Sequence, residues 1–213
     1  MIWLGIDTSH TPLAVAIVKD EQVLASIQSS MKITHSIGTM PAIEELMEKA
    51  SIKPNEIEAI AVAKGPGSYT GVRIGVTIGK TLAWTLKVPI YSVSSLHVLA
   101  ENAPYFQGVV CSIMDARRGN VFAGIYTNGE VVKEAHMSLV DLLTTLDNLE
   151  QPVLFVGMDV IIHWEHIKEV LGDKVQRVNA AFDLPNAAVL IEMAKKMEPD
   201  EVHTVVPEYL RIT

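Results

Sequence analysis

Cysteine is almost absent from this sequence of 213 residues, in which Cys111 is the only one. A single cysteine excludes a disulfide within the chain, and such scarcity is typical of proteins in a reducing compartment. We expect Cys111 to be a small buried side chain on a strand rather than a nucleophile, because free cysteine is usually packed in the core.

Long apolar runs are also missing. The hydrophobic segments have the length of strands or the spacing of amphipathic helices, so the sequence predicts no membrane-spanning helix. The segment Met1–Gly5 lacks the basic region and the cleavage site of a signal peptide. We therefore predict a cytoplasmic protein that does not bind membranes.

Positive charge is scarce as well. The sequence has 17 Lys and Arg residues against 25 Asp and Glu residues, which gives a net charge of −8. Basic residues cluster only at Arg117–Arg118 and Lys195–Lys196. Because a domain that holds nucleic acid by itself usually presents a basic face, we do not expect direct, high-affinity binding of RNA or DNA.

The most informative stretch runs from Lys64 to Gly75 and reads KGPGSYTGVRIG. The preceding residues 57–63 are predicted as a buried strand, and an apolar period continues to about Leu86, long enough for a helix of four turns. Amides at such a helix start can hold an anion. The segment is neither a Walker A motif nor a dinucleotide fingerprint, and it also fits a tight connection that binds nothing.

Small residues recur every four positions along this predicted helix, at Gly71, Gly75, Gly79 and Ala83. This spacing puts them on one face of the helix. Since glycine inside a helix costs roughly 1 kcal/mol relative to alanine, some other element must approach that face closely. The element could be the chain's own sheet or helix, or a helix of another subunit.

The order of predicted elements divides the chain into two halves. Residues 1–103 contain three antiparallel strands followed by alternating helices and strands, and residues 104–213 again start with three strands. This order predicts an α/β protein of two related lobes, 1–103 and 104–213, with the second lobe reduced. Each lobe would be a mixed sheet with helices packed against it, as in the actin-like, ribonuclease H-like (ASKHA) fold.

An acidic residue follows the first predicted strand of each half. Asp7, beside Thr8, and Asp115 could position a metal-bound phosphate or a water molecule, as in an actin-like ATPase. Alternatively, Asp7 caps a turn and Asp115 pairs with Arg117. His163 and His166 share a helical face, but no acidic or cysteine partner stands at ligand spacing, so we expect no metal site.

Several motifs together resemble the TsaB family, also called YeaZ. They are GIDTS at residues 5–9, His35–Ser36, the Lys64–Gly75 segment, Asp115–Arg117 and PEYLR at residues 207–211. The resemblance covers nearly the whole chain and implies a subunit of the bacterial machinery that makes threonylcarbamoyladenosine at position 37 of tRNAs reading codons that start with A. In that system TsaD carries catalysis, TsaE is an ATPase, TsaC (or Sua5) makes threonylcarbamoyl-AMP, and TsaB is a paralogue and required partner of TsaD.

The resemblance further implies a non-catalytic subunit without a cofactor, which pairs with TsaD, joins TsaE in a ternary complex and meets tRNA only indirectly. The implied partner-binding helices carry Ile37, Met40, Met47, Val72, Gly75, Ile78, Gly79, Leu82 and Ala83. Possible vestigial nucleotide-site residues are Asp7, Thr8, Gly65, Gly67 and Asp115. We also expect the isolated chain to form a homodimer through the same surface, because a large exposed apolar helix face is unfavourable.

One segment departs from TsaD. Residues 89–99 are similar to the TsaD segment that carries a metal-binding HxxxH pair, but Ser95 and Leu99 take the two ligand positions. Leucine cannot bind a metal, and serine is a poor ligand for zinc or iron. The alternative function is a stand-alone actin-like ATPase or phosphotransferase, which would use Asp7, Asp115 and the glycine loop around a metal–ATP complex, or a metallopeptidase-like enzyme.

Overall fold

The computed structural model describes residues 1–30 and 34–210 and divides the chain into two compact units. The first unit contains Met1–Val98 and Pro185–Tyr209, and the second contains Leu99–Leu184. The helices are α1 (His35–Ala50), α2 (Tyr69–Leu86), α3 (Ser95–Ala100), α4 (Leu139–Asp147), α5 (Val160–Leu171) and α6 (Ala187–Ala194). Within the described ranges, none of them is both long enough and apolar enough to cross a bilayer.

The first unit is built on a mixed sheet of five strands in the order β3-β2-β1-β4-β5. Antiparallel pairing joins β1, β2 and β3, whereas β4 and β5 run parallel to β1. The strands are β1 (Ile2–Asp7), β2 (Leu13–Lys19), β3 (Gln22–Ser29), β4 (Ala59–Ala63) and β5 (Ile90–Val93). The predicted meander followed by crossovers is therefore confirmed.

Both faces of the first sheet are covered, which explains why β1 and β4 are continuous apolar runs rather than alternating ones. Leu4 and Ile6 point to the face covered by α1 and α2, whereas Trp3 points to the face covered by α6. All six residues of β1 are buried, including Asp7 at its carboxyl end. An acidic side chain thus ends a strand that is otherwise entirely core.

The second unit repeats the same topology. Its strands are β6 (Val109–Asp115), β7 (Asn120–Thr127), β8 (Glu130–Ser138), β9 (Val153–Val156) and β10 (Val175–Arg177). They lie in the order β8-β7-β6-β9-β10, with an antiparallel meander and two parallel strands, as in the first sheet. Asn128 and Gly129 both have positive φ angles in the turn between β7 and β8, as the Asn-Gly pair predicts.

The core of the second unit lies between one face of its sheet and the helices α4 and α5. Cys111, fully buried on β6, belongs to this core together with Phe155, Leu142 and Ile167. Burial raises the pKa of the Cys111 thiol. The expectation of a buried structural cysteine is confirmed, and a thiol held in its protonated form is a poor nucleophile.

The C-terminal segment differs from the sequence-based division into lobes. The boundary at residue 104 puts everything after it in the second lobe, but Pro185–Tyr209 makes its contacts within the first unit. Leu190 and Ile191 of α6 pack beside Trp3, and Asp200 bonds to the edge strand β5 through the amide of Ser92. The apolar second face of the first sheet requires this cover.

Candidate functional site

The small-residue face of α2 is filled by the chain itself. A Cβ atom on Gly75 would lie 2.4 Å from the hydroxyl oxygen of Thr8, and one on Gly79 would lie 2.2 Å from a methyl carbon of Val62. These contacts are too close for any side chain, so α2 packs directly on β4 and on the end of β1. The element that the glycine spacing requires is therefore the chain's own sheet.

This packing corrects part of the predicted partner interface. Val72, Gly75, Gly79 and Ala83 are buried within the first unit, and Met47 is only 9% exposed in the core beneath α1. Residues buried in this way support the fold and cannot meet another subunit directly. Of the rest of the predicted set, Ile37 and Met40 are exposed, whereas Ile78 and Leu82 are partly buried and pack against the core of the first unit.

Two backbone amides at the glycine loop, those of Ser68 and Gly65, donate within the chain. The amide of Ser68 donates to the carbonyl of Ser9, and the amide of Gly65 donates to the hydroxyl of Ser95. Ser68 caps α2 by accepting from the amide of Gly71. Because an anion at a helix start needs such donors free, these bonds favour the tight structural connection over a phosphate cradle.

Gly65 and Gly67 are required by close backbone approaches. Gly65 has φ +106°, and a Cβ atom there would lie 2.6 Å from the carbonyl oxygen of Glu208. A Cβ atom on Gly67 would lie 2.0 Å from the carbonyl oxygen of Ser9. The space that these glycines leave is thus taken by the C-terminal segment on one side and by the loop after β1 on the other.

Asp7 lies fully buried at the carboxyl end of β1. Its Oδ1 atom accepts from the amide of Ser9 at 2.8 Å and from the hydroxyl of Ser9 at 2.6 Å. Its Oδ2 atom is buried and has no hydrogen-bond partner among the described residues. Burial raises the pKa of this carboxyl group, although the bonds from Ser9 and the nearby His10 and His35 oppose that shift.

Thr8 and His35 join the loop after β1 to the helices. The Thr8 hydroxyl donates to the carbonyl of Gly71 at 2.7 Å. The Nε2 atom of His35, the first residue of α1, lies 2.7 Å from the carbonyl oxygen of His10. The polar atoms of Asp7 and Thr8 therefore mostly serve contacts within the chain, and Gly67 lies against Ser9 of the same loop.

Asp115 belongs to the second unit and is described separately. Its Oδ1 atom lies 3.2 Å from Nε2 of His163, and its Oδ2 atom lies 3.9 Å from Nε of Arg117. The backbone amide of Asp115 donates to the carboxylate of Asp159. His166, the other histidine of the predicted pair, instead lies beside Glu169, and no cluster of three or more potential metal ligands occurs in the described part of the chain.

The outer side of α1 and α2 carries exposed apolar side chains. Ile37 is 74% exposed and Met40 is 39% exposed, whereas Ile43 of the same helix is 1% exposed. Pro41 lies inside α1, six residues after His35. A groove of about 430 Å³ follows the two helices and is lined by Ser36, Met40, Tyr69, Thr70, Arg73, Ile74, Thr77 and Ile78.

Sequence reasoning missed one cluster beside this groove. The guanidinium carbon of Arg73 lies 3.9 Å from the ring centre of Tyr69, and its Nε atom donates to the hydroxyl of Tyr209 at 2.8 Å. The two tyrosine rings are 5.1 Å apart. Tyr209 stands in the PEYLR motif, so the motif itself was the available signal; Arg211 of that motif lies outside the described residues.

Comparison with known proteins decides the family. Residues 22–212 match the sequence model of the family described as TsaD, tRNA N6-adenosine threonylcarbamoyltransferase. The tRNA threonylcarbamoyladenosine biosynthesis protein TsaB of Bacillus subtilis is 43% identical over an alignment of 217 residues, which covers 100% of this chain and 95% of that protein. The chain belongs to the TsaB family.

Solved structures agree with this TsaB assignment. The structure titled YeaZ from Pseudomonas aeruginosa has a TM-score of 0.79 at 26% identity and covers 98% of this chain and 99% of its own. A ROK hexokinase from Thermus thermophilus, at 12% identity, has a TM-score of 0.57 and covers 92% of this chain and 100% of its own. The second likeness shows the fold alone, and it confirms the predicted actin-like, ribonuclease H-like class.

As a TsaB protein, the chain is a paralogue of TsaD that acts in tRNA threonylcarbamoyladenosine biosynthesis. The two positions compared with the TsaD metal pair have structural uses. Ser95 is fully buried and accepts from the amide of Gly65, and Leu99 is 3% exposed. The leucine side chain has no donor atom for a metal, and the serine hydroxyl is a poor ligand for zinc or iron.

Proposed function

We propose that this TsaB chain is a non-catalytic subunit that binds TsaD and supports it, together with the ATPase TsaE, in modifying position 37 of tRNAs reading codons that start with A. It works in the cytoplasm without a cofactor, and tRNA reaches it only through the complex. In the absence of TsaD, the same surface joins two copies in a homodimer.

The exposed apolar side of α1 and α2 carries this proposal. Met40 and Tyr69, which is 58% exposed, line a groove of about 430 Å³, and Ile37 lies one turn before Met40 on α1 and is 74% exposed. A contiguous apolar surface of this kind favours burial against another protein. Because TsaD is a paralogue of this chain, its corresponding helices are natural candidates to cover the surface.

Three observations support a role without catalysis. The Asp115 carboxylate is engaged by His163 and Arg117. The Ser68 and Gly65 amides of the glycine loop donate within the chain. Asp7 is buried, and burial raises the pKa of its carboxyl group, which disfavours the anion that a magnesium site needs.

Reconstitution tests the proposal. TsaD, TsaE, threonylcarbamoyl-AMP and an unmodified tRNA are incubated with and without this chain, and threonylcarbamoyladenosine is measured by mass spectrometry of the digested tRNA. We expect product only when the chain is present, and we expect the chain to elute with TsaD in gel filtration. Product formation at the same rate without the chain would contradict the proposal.

A titration of the isolated chain with ATP and Mg²⁺ tests the alternative of a stand-alone ATPase. The fold likeness to a ROK hexokinase makes this the relevant second candidate. We expect no binding at micromolar nucleotide. Tight, stoichiometric binding that is lost in an Asp7→Ala variant would favour the ATPase instead.

A further inference from the structure

Arg73 is held in one orientation at the rim of the groove between α1 and α2. Its guanidinium stacks on Tyr69 at 3.9 Å, lies 5.9 Å from the ring centre of Tyr209 and donates through Nε to the Tyr209 hydroxyl. The side chain is nevertheless on the surface, since Arg73 is exposed and Tyr209 is 41% exposed. An exposed arginine usually has many rotamers, so this arrangement is unusually ordered.

The C-terminal segment supplies part of that order. Glu208 donates its amide to the carbonyl of Lys64 at 2.7 Å, and its carboxylate lies 3.2 Å from the Lys64 ammonium group. These contacts fix the backbone next to Tyr209 against the glycine loop. The position of the tyrosine hydroxyl, and through it that of Arg73, is therefore set before any ligand arrives.

The cluster presents hydrogen-bond donors and no strong acceptor. The terminal Nη groups of Arg73 have no partner among the described residues, and no carboxylate within that part of the chain lies at ion-pair distance. The Tyr209 oxygen already accepts from Arg73, so its own proton is directed elsewhere. A pair of planar N–H groups beside an O–H group fits a carboxylate.

The surface next to the cluster is apolar. Met40, Ile74 and Ile78 line the groove along which Arg73 stands. The exposed charges on the adjoining helix α1 are mostly acidic, at Glu44, Glu45 and Glu48, in a chain with a net charge of −8. Arg73 thus presents a fixed cation beside this apolar surface, which makes it suited to fixing the register of an incoming helix that carries a carboxylate.

We propose that the partner subunit places an amphipathic helix in this groove and that an Asp or Glu of that helix binds Arg73 and the Tyr209 hydroxyl. Apolar side chains of the same helix contact Met40, Ile74 and Ile78. This inference rests on the proposed function, which supplies TsaD as the partner. Arginine and tyrosine held rigidly at an interface are typical of residues that dominate binding, because little entropy is lost when they are buried.

The test compares two substitutions that remove the same charge. Arg73→Gln is measured against Arg118→Gln, which removes an exposed arginine from the second unit. Binding to TsaD is followed by calorimetry between about 50 and 500 mM salt, a range that screens exposed charges strongly. We expect Arg73→Gln to weaken binding about tenfold at low salt and to flatten its salt dependence, whereas Arg118→Gln behaves as wild type.

Two further variants separate the geometry from the charge. Arg73→Lys keeps the charge but loses the planar guanidinium, so it should not restore wild-type affinity. Tyr209→Phe keeps the ring and removes the hydroxyl, so it should weaken binding by a smaller factor. Melting temperatures of all four variants should stay close to wild type, because these side chains are exposed.

Three outcomes would overturn the inference. Wild-type affinity of Arg73→Gln for TsaD would show that no carboxylate meets this cluster. A change in self-association alone would show that a second copy, and not TsaD, contacts Arg73. Absence of TsaD binding by the wild-type chain would overturn the proposed function itself, and with it the partner invoked here. This result is distinguished from a failure of the Arg73 contact because it is obtained with the wild-type chain alone.

Discussion

The backbone carbonyl oxygen of Thr8 lies 2.2 Å from the position that a Cβ atom would occupy on Gly71. No residue other than glycine permits so close a contact between α2 and the loop after β1. The Thr8 hydroxyl donates to the Gly71 carbonyl as well, so the two residues are joined by a hydrogen bond in addition to packing. The first turn of α2 is thereby fixed on the end of β1.

One helical turn further along α2, Gly75 also faces Thr8. We therefore predict that substitutions at Gly75 and at Thr8 have coupled effects on stability. Gly75→Ala should lower the free energy of unfolding, because its Cβ atom would lie 2.4 Å from the Thr8 hydroxyl oxygen and such overpacking costs about 1–3 kcal/mol. In a Thr8→Ala background the hydroxyl is gone, and the higher helix propensity of alanine should instead add about 1 kcal/mol. Urea denaturation of the four proteins in this cycle measures both effects.

The same cycle has a simple control. Thr81→Ala changes an exposed position on the same helix and should have a similar effect in both backgrounds. Equal effects of Gly75→Ala with and without the Thr8 hydroxyl would show that the helix can move away from the strand end, and the close packing described above would then be incorrect.

Burial of Asp7 predicts how stability depends on pH. Its pKa is raised from the ordinary value of 3.8, so between 3.8 and the raised value the folded state keeps a proton that the unfolded state has released. The contribution of this carboxyl group to the free energy of unfolding is therefore fully present below pH 3.8 and is lost as the pH rises through the pKa of the folded state. In the Asp7→Asn variant, which has no ionisable group at this position, this decrease in stability with rising pH does not occur.

We expect the Asp7→Asn variant to gain stability relative to wild type as pH increases above 3.8, with the difference becoming constant above the folded pKa of Asp7. Chemical denaturation at half-unit pH steps checks this. A stability difference that is the same at every pH would mean that Asp7 is as easily ionised in the folded chain as in the unfolded one.

In the second unit, the Tyr126 hydroxyl donates to the Glu134 carboxylate at 2.5 Å, and the tyrosine is 1% exposed. Burial, together with the charge of Glu134, raises the pKa of this hydroxyl. Tyr126→Phe should cost about 1.5–3 kcal/mol, the range for a hydrogen bond to a charged group. Tyr105→Phe, at a residue that is 91% exposed, is the matched control and should change stability by less than about 0.5 kcal/mol.

The outer side of α1 predicts a variant that loses association but not fold. Ile37→Asp alters a residue that is 74% exposed, so the melting temperature should stay near that of wild type, while TsaD binding and self-association should both weaken at least tenfold. Ile161→Asp, near the start of α5 and 58% exposed, serves as the control. If light scattering and TsaD capture give wild-type results for Ile37→Asp, the interface lies elsewhere.

Most elements of the fold follow from local sequence patterns. The apolar period that continues to about Leu86 predicts the observed end of α2, and Asn128–Gly129 predicts the hairpin turn. The short strand β10 was not predicted, because Val175–Arg177 has three residues, two of them exposed, and depends on pairing with β9. Periodicity cannot indicate a strand whose stability comes from its neighbour.

The candidate site was less accessible to sequence reasoning. The four-residue spacing of small side chains correctly indicates that something approaches α2, but it cannot distinguish the chain's own sheet from another subunit. Ile37 and Ile43 fit one helical stripe equally well, yet one is 74% exposed and the other is 1% exposed. In the cluster of Tyr69, Arg73 and Tyr209, the last two residues are 136 positions apart in sequence. The cluster can therefore be recognised only in the folded chain.

Because Pro185–Tyr209 completes the first unit, the order in which the ribosome releases the chain becomes important. The face of the first sheet that carries Trp3 stays without its cover until α6 has been synthesised, whereas Leu99–Leu184 is contiguous and is released earlier. We therefore expect the second unit to fold before the first, the opposite of the usual succession, in which the N-terminal part of a protein folds first during translation. Until α6 has emerged, we expect the nascent first unit to expose the apolar sheet face that carries Trp3.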